Sequence, residues 1–274
     1  MSYIRSLIMA LLQGVTELFP ISSLGHAVIF PRLVGWGDLI HNPDFLPYLV
    51  VMHLGTAVAL FVYFRADWLS FLQAAMKADT PRALNDRRIF GLVILATIPA
   101  VLVGFALHKP LATAFSSPSV VAFILILNGA LLYFCDQIAG RGVGALDQLN
   151  WKGALAIGVA QCFALVPGFS RSGLTIAAGI VSGLKHEDAA RFSFLMATPI
   201  ILGATVLEGP KLMKQGATLG AAALVSGVAA GLIAYATLVV LMRWFHRHEF
   251  NALKPFAYYC AAAGVASLVW MTVF

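Results

Sequence analysis

Two apolar segments of this chain contain the polar and ionisable residues that could do chemistry, and the two segments resemble each other. Residues 13–26 read QGVTELFPISSLGH, and residues 161–173 read QCFALVPGFSRSG. An ionisable group at membrane depth is unfavourable by several kcal/mol, so it usually faces a partner or a water-filled cavity. We therefore treat Glu17, His26 and Arg171 as members of one polar site.

The first motif combines an acid, hydroxyls and an imidazole. Gln13 and Glu17 are four residues apart, so their side chains share one face of a helix. Ser22 and Ser23 supply hydroxyls where a new helix would begin after the proline, and His26 would lie on the same face as Ser23. The start of a helix presents free N–H groups and a positive dipole end, which suits a phosphate.

The second motif adds a cation and permissive backbone. Gly168 and Gly173 let the main chain approach a ligand closely, and Ser170 and Ser172 add hydrogen-bond donors. Arg171 offers a planar fork that matches two phosphate oxygens at once.

Together the two motifs predict a site for phosphoryl transfer. Ser23 is the candidate nucleophile or positioning donor, His26 an acid or base, Glu17 a base, and Arg171 the group that stabilises transition-state charge. Glu17 is also a candidate ligand for a divalent cation (Mg²⁺ or Ca²⁺), although one carboxylate is a small ligand set. The candidate substrate-binding residues are Gln13, Ser22, Gly25, Gly168, Ser170, Ser172 and Gly173.

Structural explanations compete with this interpretation. A serine before a helix is commonly only its cap, and glycine and serine often serve close helix packing in membranes. Glu17 and Arg171 would then form a structural ion pair, and Gln13 would bond the backbone. These alternatives must account for Glu, His and Arg together beside two broken helices. His53, inside an uninterrupted apolar span, is equally compatible with contacting the site and with a hydrogen-bonded core position.

Composition places the chain in the membrane. Of 274 residues, 60% are hydrophobic and only 11% charged, with a mean hydropathy of +0.88, whereas soluble domains carry roughly 25% charged residues. Recurrent apolar runs favour helices over a barrel. The net charge of +6 is scattered among loops, so we expect no nucleic-acid partner. Cys135, Cys162 and Cys260 lie far apart and are interpreted as packing residues.

The predicted fold is an all-α polytopic membrane protein forming one domain, 1–274. Two apolar segments, about 4–35 and 153–183, are interrupted at the motifs and predict re-entrant helix hairpins, because broken backbone is tolerated only inside protein or along a cavity. Matching motifs that enter from opposite faces indicate an inverted-topology repeat. Six uninterrupted spans are predicted at about 47–64, 89–107, 119–137, 192–208, 217–242 and 256–274.

Charge predicts the orientation of these spans. One side of the membrane receives Arg65, Lys77, Arg82, Arg87, Arg88, Arg141, Lys152, Lys185, Arg191, Arg243, Arg247 and Lys254. The other side receives Arg5, Arg32, Lys109, Lys211 and Lys214. The positive-inside rule places the larger group in the cytoplasm. The first hairpin then enters from the outside and the second from the cytoplasm, with both termini outside.

These motifs resemble those of the undecaprenyl-diphosphate phosphatase family, also called the bacitracin-resistance protein family. The resemblance rests on Gln13-x-x-x-Glu17, on the run from Leu18 to His26, and on Pro167 to Gly173. It implies a hydrolase of the bacterial inner membrane, with its site open to the periplasmic face. That enzyme converts undecaprenyl diphosphate to undecaprenyl phosphate and inorganic phosphate, which recycles the lipid carrier for cell-wall synthesis and confers bacitracin resistance. The family admits Glu or Gln at its first motif position, and this chain has Gln13.

Other functions were weighed against this one. The phosphatidic-acid phosphatase type 2 superfamily needs a second histidine shortly after its Ser-Arg, and residues 173–184 contain none. A lipid-phosphate flippase on the same inverted repeat is the main alternative, but a transporter needs no nucleophile beside an acid–base group. The sequence leaves open a homodimer, the preferred chain length of the lipid, and whether Ser23 or water attacks the phosphorus.

Overall fold

The computed structural model describes residues 3–40, 42, 45–76, 79–114, 117–138, 143–214, 220–248 and 250–273. The regular secondary structure of these residues is helical, apart from one isolated bridge between Gly144 and Leu184. The α-helices of these residues are α1 Tyr3–Thr16, α2 Ser23–Leu33, α3 Phe45–Tyr63, α4 Arg65–Met76, α5 Pro81–Ala114, α6 Pro118–Ile138, α7 Trp151–Cys162, α8 Arg171–Val181, α9 His186–Lys214, α10 Gly220–Arg247 and α11 Lys254–Val273. Two short 3₁₀ helices, Leu146–Gln148 and Phe163–Leu165, precede and follow α7.

Several helices are long and apolar enough to cross a membrane. Among the described residues these are Pro81–Leu107, Pro118–Gln137, Ala221–Arg247 and Lys254–Val273. A fifth span is possible if Tyr48–Tyr63 and Arg65–Met76, which are bent by 69° to each other, count as one. Large apolar side chains on these helices are exposed, as at Phe105 (71%) and Leu232 (70%). The chain is therefore a multi-pass membrane protein.

Four of the six predicted spans coincide with the long apolar helices α5, α6, α10 and α11. The predicted span 47–64 coincides with α3, the first member of the bent pair. The sixth, 192–208, lies within α9 and stays a prediction. The predicted span ends at 217 and 274 lie outside the described residues.

Both segments predicted to be broken are broken at their motifs. The first forms α1 and α2 with residues 17–22 between them, and the second forms α7 and α8 with residues 163–170 between them. At 1.5 Å per residue, the 14 residues of α1 extend only about 21 Å, less than the roughly 30 Å of bilayer core. Neither half of either segment is long enough to cross a bilayer.

Residues 65–88, which lie between the predicted spans 47–64 and 89–107 and are interpreted from the sequence as a connecting loop, are largely helical. Residues 65–76 form α4, and α5 begins at Pro81, eight residues before the predicted span. Proline suits the first turn of a helix, and the Thr80 hydroxyl accepts a hydrogen bond from Ala83 N at 3.2 Å. Lys77 and Arg141, also assigned to loops, lie outside the described residues.

Glycines let the two broken segments pack closely on the long helices. A Cβ at Gly14 of α1 would lie 2.7 Å from the carbonyl oxygen of Ala230 in α10. A Cβ at Gly158 of α7 would similarly clash with the backbone of Ala96 in α5. Each broken segment therefore lies directly against one membrane-spanning helix, which holds its interruption in place.

Candidate active site

The interruption of the first segment is built around Glu17. Glu17 follows the last turn of α1, and its amide donates to Gln13 O at 3.0 Å. The side chains stay on one face, as their spacing predicts, and Gln13 Nε2 donates to Glu17 Oε2 at 3.0 Å. Both residues are buried. Gln13 therefore fixes the orientation of the carboxylate.

The Glu17 carboxylate lies against side chains from three further parts of the chain. Ser23 Oγ donates to Oε2 at 2.6 Å, and Arg171 Nη2 donates to Oε1 at 2.6 Å. His53 Nε2 in α3 lies 3.3 Å from Oε2. The structure brings Glu17, Ser23 and Arg171 together, and His53, which the sequence left open, lies beside the same carboxylate.

A serine caps the helix after each interruption in the same way. Ser22 Oγ accepts a hydrogen bond from Gly25 N at 3.1 Å, and Ser170 Oγ accepts one from Gly173 N at 3.1 Å. The Pro-x-x-Ser pattern that both motifs share aligns Ser23 with Ser170 in the sequence, whereas the two caps equate Ser22 with Ser170. Ser23 and Arg171 are then the first residues of α2 and α8.

The two helix starts face each other at close range. A Cβ on Gly25 would lie 3.3 Å from the Cα of Gly168, and Gly168 itself has φ +104° with Val121 O 2.6 Å from its ideal Cβ position. Only glycine combines that dihedral with that contact. The first amides of a helix lack intrahelical acceptors, so both starts direct free N–H groups and positive dipole ends into one region.

Ser172 and Asn128 tie the two interruptions together. Ser172 Oγ donates to Phe19 O at 3.2 Å and lies 3.1 Å from Ser170 Oγ. Asn128, fully buried in α6, donates from Nδ2 to Pro20 O at 3.1 Å and accepts from Ser170 N at 2.9 Å. The hydroxyl of Ser172, a predicted substrate-binding residue, donates to the backbone of the first interruption. Its role in substrate binding stays a prediction.

His26 is oriented at both ring nitrogens. Nδ1 lies 2.7 Å from Ser22 O, and Nε2 lies 2.8 Å from the hydroxyl of Tyr259 in α11. Because a carbonyl can only accept, Nδ1 carries the proton, and in the neutral ring Nε2 accepts from the Tyr259 hydroxyl. The ring is buried and stacks on Tyr259 with centroids 5.7 Å apart. His26 therefore keeps an oriented basic nitrogen three residues after Ser23, but none of its side-chain hydrogen bonds among the described residues reaches Glu17, Ser23 or Arg171.

The guanidinium of Arg171 is only partly used. Nη2 bonds Glu17, whereas Nη1 is buried and has no hydrogen-bond partner among the described residues. An orphaned buried donor is unfavourable, so it marks a position where a ligand oxygen would be stabilised. The arrangement offers an anion a guanidinium, two helix starts and a serine hydroxyl already bonded to a carboxylate.

Comparison with known proteins shows the family to which the chain belongs. The family model described as bacitracin resistance protein BacA matches residues 6–266. The chain belongs to the bacitracin resistance protein BacA family. A Granulibacter bethesdensis protein named undecaprenyl-diphosphatase is 45% identical over 287 residues, which cover 99% of this chain and 97% of that protein.

Two further relatives of the family are similar over equally long alignments. The undecaprenyl-diphosphatase of Acidiphilium cryptum is 45% identical over 98% of both chains. The undecaprenyl-diphosphatase 2 of Chromobacterium violaceum is 44% identical over 100% of both chains. The matched lengths therefore span both motifs and the helices that hold them.

Sequence reasoning missed two residues of the site. Tyr259 lies 233 positions from His26 in an apolar helix, where local pattern carries no signal for a catalytic contact. Asn128 had a usable signal, because a carboxamide in the middle of an apolar span must find partners. Its partners, the two interruptions, are visible only in the fold.

Proposed function

We propose that this chain hydrolyses undecaprenyl diphosphate to undecaprenyl phosphate and inorganic phosphate. The family and the names of its relatives support this activity. The observation that carries it is the Glu17 carboxylate, which accepts from Ser23 and from Arg171 at 2.6 Å each where two helix starts meet. The relatives' names describe a diphosphatase, so they do not favour the flippase alternative.

In the first step Ser23 attacks the terminal phosphorus. Its Oγ forms the new O–P bond while its proton passes to Glu17 Oε2, with which it already shares a hydrogen bond. The bond from phosphorus to the bridging oxygen breaks, and its electron pair leaves with undecaprenyl phosphate. Arg171 Nη1 and the free amides of α2 and α8 stabilise the charge on the equatorial oxygens.

In the second step water hydrolyses the phosphoserine. The water proton moves to His26 Nε2 through the Tyr259 hydroxyl, which lies 2.8 Å from that nitrogen. Ser23 Oγ leaves with the proton held by Glu17, and inorganic phosphate departs. His26 then releases its proton to solvent, which restores the starting state.

The protein side chains at the candidate site offer few ligands to a divalent cation. Among the described residues no group of three or more His, Cys, Asp or Glu side chains could hold a metal, and both Glu17 oxygens already accept protein hydrogen bonds. The donor set does not fit a cation site built by the protein alone. Any Mg²⁺ or Ca²⁺ would be held chiefly by the diphosphate, with Glu17 as its protein ligand.

Replacing Ser23 tests the mechanism. Ser23→Ala should abolish phosphate release while lipid diphosphate still binds, and a brief reaction of the unaltered protein with labelled substrate should leave label on Ser23. Ser226→Ala is the matched control, because the Ser226 hydroxyl bonds only Ala222 O of its own helix at 2.8 Å. Retention of roughly a tenth of the rate by Ser23→Ala, about 1.4 kcal/mol of barrier, would exclude the covalent route.

His26 provides an independent check on the same mechanism. His26→Ala and His26→Gln should both be severely impaired, because Gln keeps hydrogen bonding but cannot take a proton. Losses from His26→Ala and Ser23→Ala should not add, since residues acting as one unit are non-additive. Additive losses would mean that the two side chains act separately.

We further propose the arrangement of six spans with two re-entrant hairpins as an inverted repeat. The matching caps and the reciprocal packing of α1 on α10 and α7 on α5 support it. The charge distribution supports a site that opens to the periplasmic face of the inner membrane. A homodimer stays a prediction.

A further inference from the structure

A second polar cavity lies at the end of the helix bundle and shares no residue with the candidate active site. It has a volume of about 310 Å³ and opens between the end of α3, the start of α9 and the end of α10. Its lining comprises Tyr63, Glu187, Met242, Arg243, His246 and Arg247. The phosphatase mechanism uses none of these side chains.

The cavity carries two unmatched positive charges. Glu187 already has basic neighbours, since its Oε2 lies 3.0 Å from His246 Nδ1 and 3.9 Å from Lys185 Nζ. In the part of the chain that the structure describes, neither Arg243 nor Arg247 has a hydrogen bond or an ion-pair partner. Both arginines are exposed and four residues apart, so one helix face presents both guanidiniums.

An exposed apolar stripe continues from these arginines along α10. Ala236, Val240, Arg243 and Arg247 lie at helical spacing on one face, and all four are exposed. Val240 is 60% exposed. Because α10 is one of the membrane-spanning helices up to Arg247, this stripe faces acyl chains while the arginines lie at headgroup level.

We propose that this cavity binds the phosphate group of an anionic membrane lipid. Guanidiniums pair with phosphate oxygens in a two-pronged geometry, and basic pockets between membrane helices bind such headgroups. The apolar stripe below the arginines accommodates the lipid's chains. Free inorganic phosphate would bind the same guanidiniums, but it has no acyl chains to contact the apolar stripe, so the stripe favours a lipid.

Native mass spectrometry of the purified full chain, titrated with phosphatidylglycerol, tests the site. Each cation near the membrane surface contributes roughly 1 kcal/mol to the binding of an anionic lipid. Arg243→Gln/Arg247→Gln should therefore weaken the tightest phosphatidylglycerol binding by about 2 kcal/mol, which is about thirtyfold at 1.4 kcal/mol per factor of ten. Arg243→Lys/Arg247→Lys keeps both charges but loses the two-pronged contact, so its affinity should fall between that of the unaltered protein and that of Arg243→Gln/Arg247→Gln. Phosphatidylcholine should bind equally weakly to every variant.

The matched control is Arg82→Gln/Lys152→Gln, which removes two charges elsewhere. Arg82 is 87% exposed, and Lys152 lies over the Trp151 ring. Unchanged phosphatidylglycerol binding to Arg243→Gln/Arg247→Gln would overturn the proposal, as would an equal loss in the control, which would indicate only general charge attraction. Displacement of the lipid by inorganic phosphate at the same concentration would assign the cavity to free phosphate and also refute a lipid site.

Discussion

Replacing Arg171 by lysine separates the charge of the guanidinium from its geometry. Arg171 Nη2 donates to Glu17 Oε1 at 2.6 Å, and the buried Nη1 has no partner among the described residues. The guanidinium can therefore hold Glu17 and a phosphate oxygen at the same time. A lysine ammonium can neutralise Glu17 but has no planar second prong for the phosphate.

The expected loss is that of one charge-assisted donor to the transition state. Removing such a donor slows turnover by about 10²–10³, or about 2.7–4 kcal/mol of barrier. Arg171→Lys should still fold, because Glu17 keeps a cationic neighbour and its contacts to Gln13, Ser23 and His53. We expect a large fall in kcat with a comparatively small change in KM.

The assay is release of inorganic phosphate from a polyprenyl diphosphate by purified protein in detergent. Arg88→Lys is the matched control, since Arg88 bonds the backbone oxygens of Asp147 and Leu149 away from the site. That control should keep its kcat. Turnover of Arg171→Lys within threefold of the unaltered protein would refute the proposed role, provided that thermal unfolding shows both variants folded.

Three further predictions test other parts of the structure. Tyr259→Phe should lower kcat about tenfold, measured by phosphate release, because losing the hydroxyl removes the contact at His26 Nε2; an unchanged rate would rule out the relay. Asn128→Ala should lower the unfolding free energy by about 1–3 kcal/mol in a denaturation assay, since two hydrogen bonds between membrane segments are lost, and unaltered stability would contradict the bridging role. A single cysteine at position 82, in place of Arg82, should react with a membrane-impermeant thiol reagent only from the cytoplasm, and one at position 42, in place of Asn42, only from outside. The reverse pattern would overturn the predicted orientation.

The sequence predicts which residues form the candidate site better than it predicts the contacts between them. Glu17 and Arg171 could be paired in advance, because each is a charge in an apolar segment and each needs a partner. The register of the repeat could not, because the caps at Ser22 and Ser170 depend on where each helix begins. Tyr259 could not be predicted either, since its contact with His26 follows from the packing of α11 beside α2.

The helical start at residue 65 was missed for a related reason. Charged side chains between two apolar runs are typical of a loop, and residues 65–88 carry several. In the structure those charges find partners, as Arg191 pairs with Asp67 and Arg87 with Asp79. The start of α4 is thus held by an ion pair with a residue 124 positions away in the chain.

The two halves of the proposed repeat differ at the positions that the proposed mechanism uses. Gln13 lies nine residues before the cap Ser22, and Gln161 lies nine before the cap Ser170. Four residues after these glutamines the first half has Glu17, whereas the second half has Leu165. Gln161 is accordingly buried with neither amide atom bonded among the described residues.

At the first position of the following helix, the halves again differ, with Ser23 in α2 and Arg171 in α8. In the proposed mechanism the first half thus supplies the base and the nucleophile, and the second supplies the cation. Neither Glu17 nor Arg171 can be buried alone without a large desolvation penalty. Docking of the two interruptions therefore satisfies both charges and, in the same contact, places Ser23 beside its base and the unused Nη1 of Arg171.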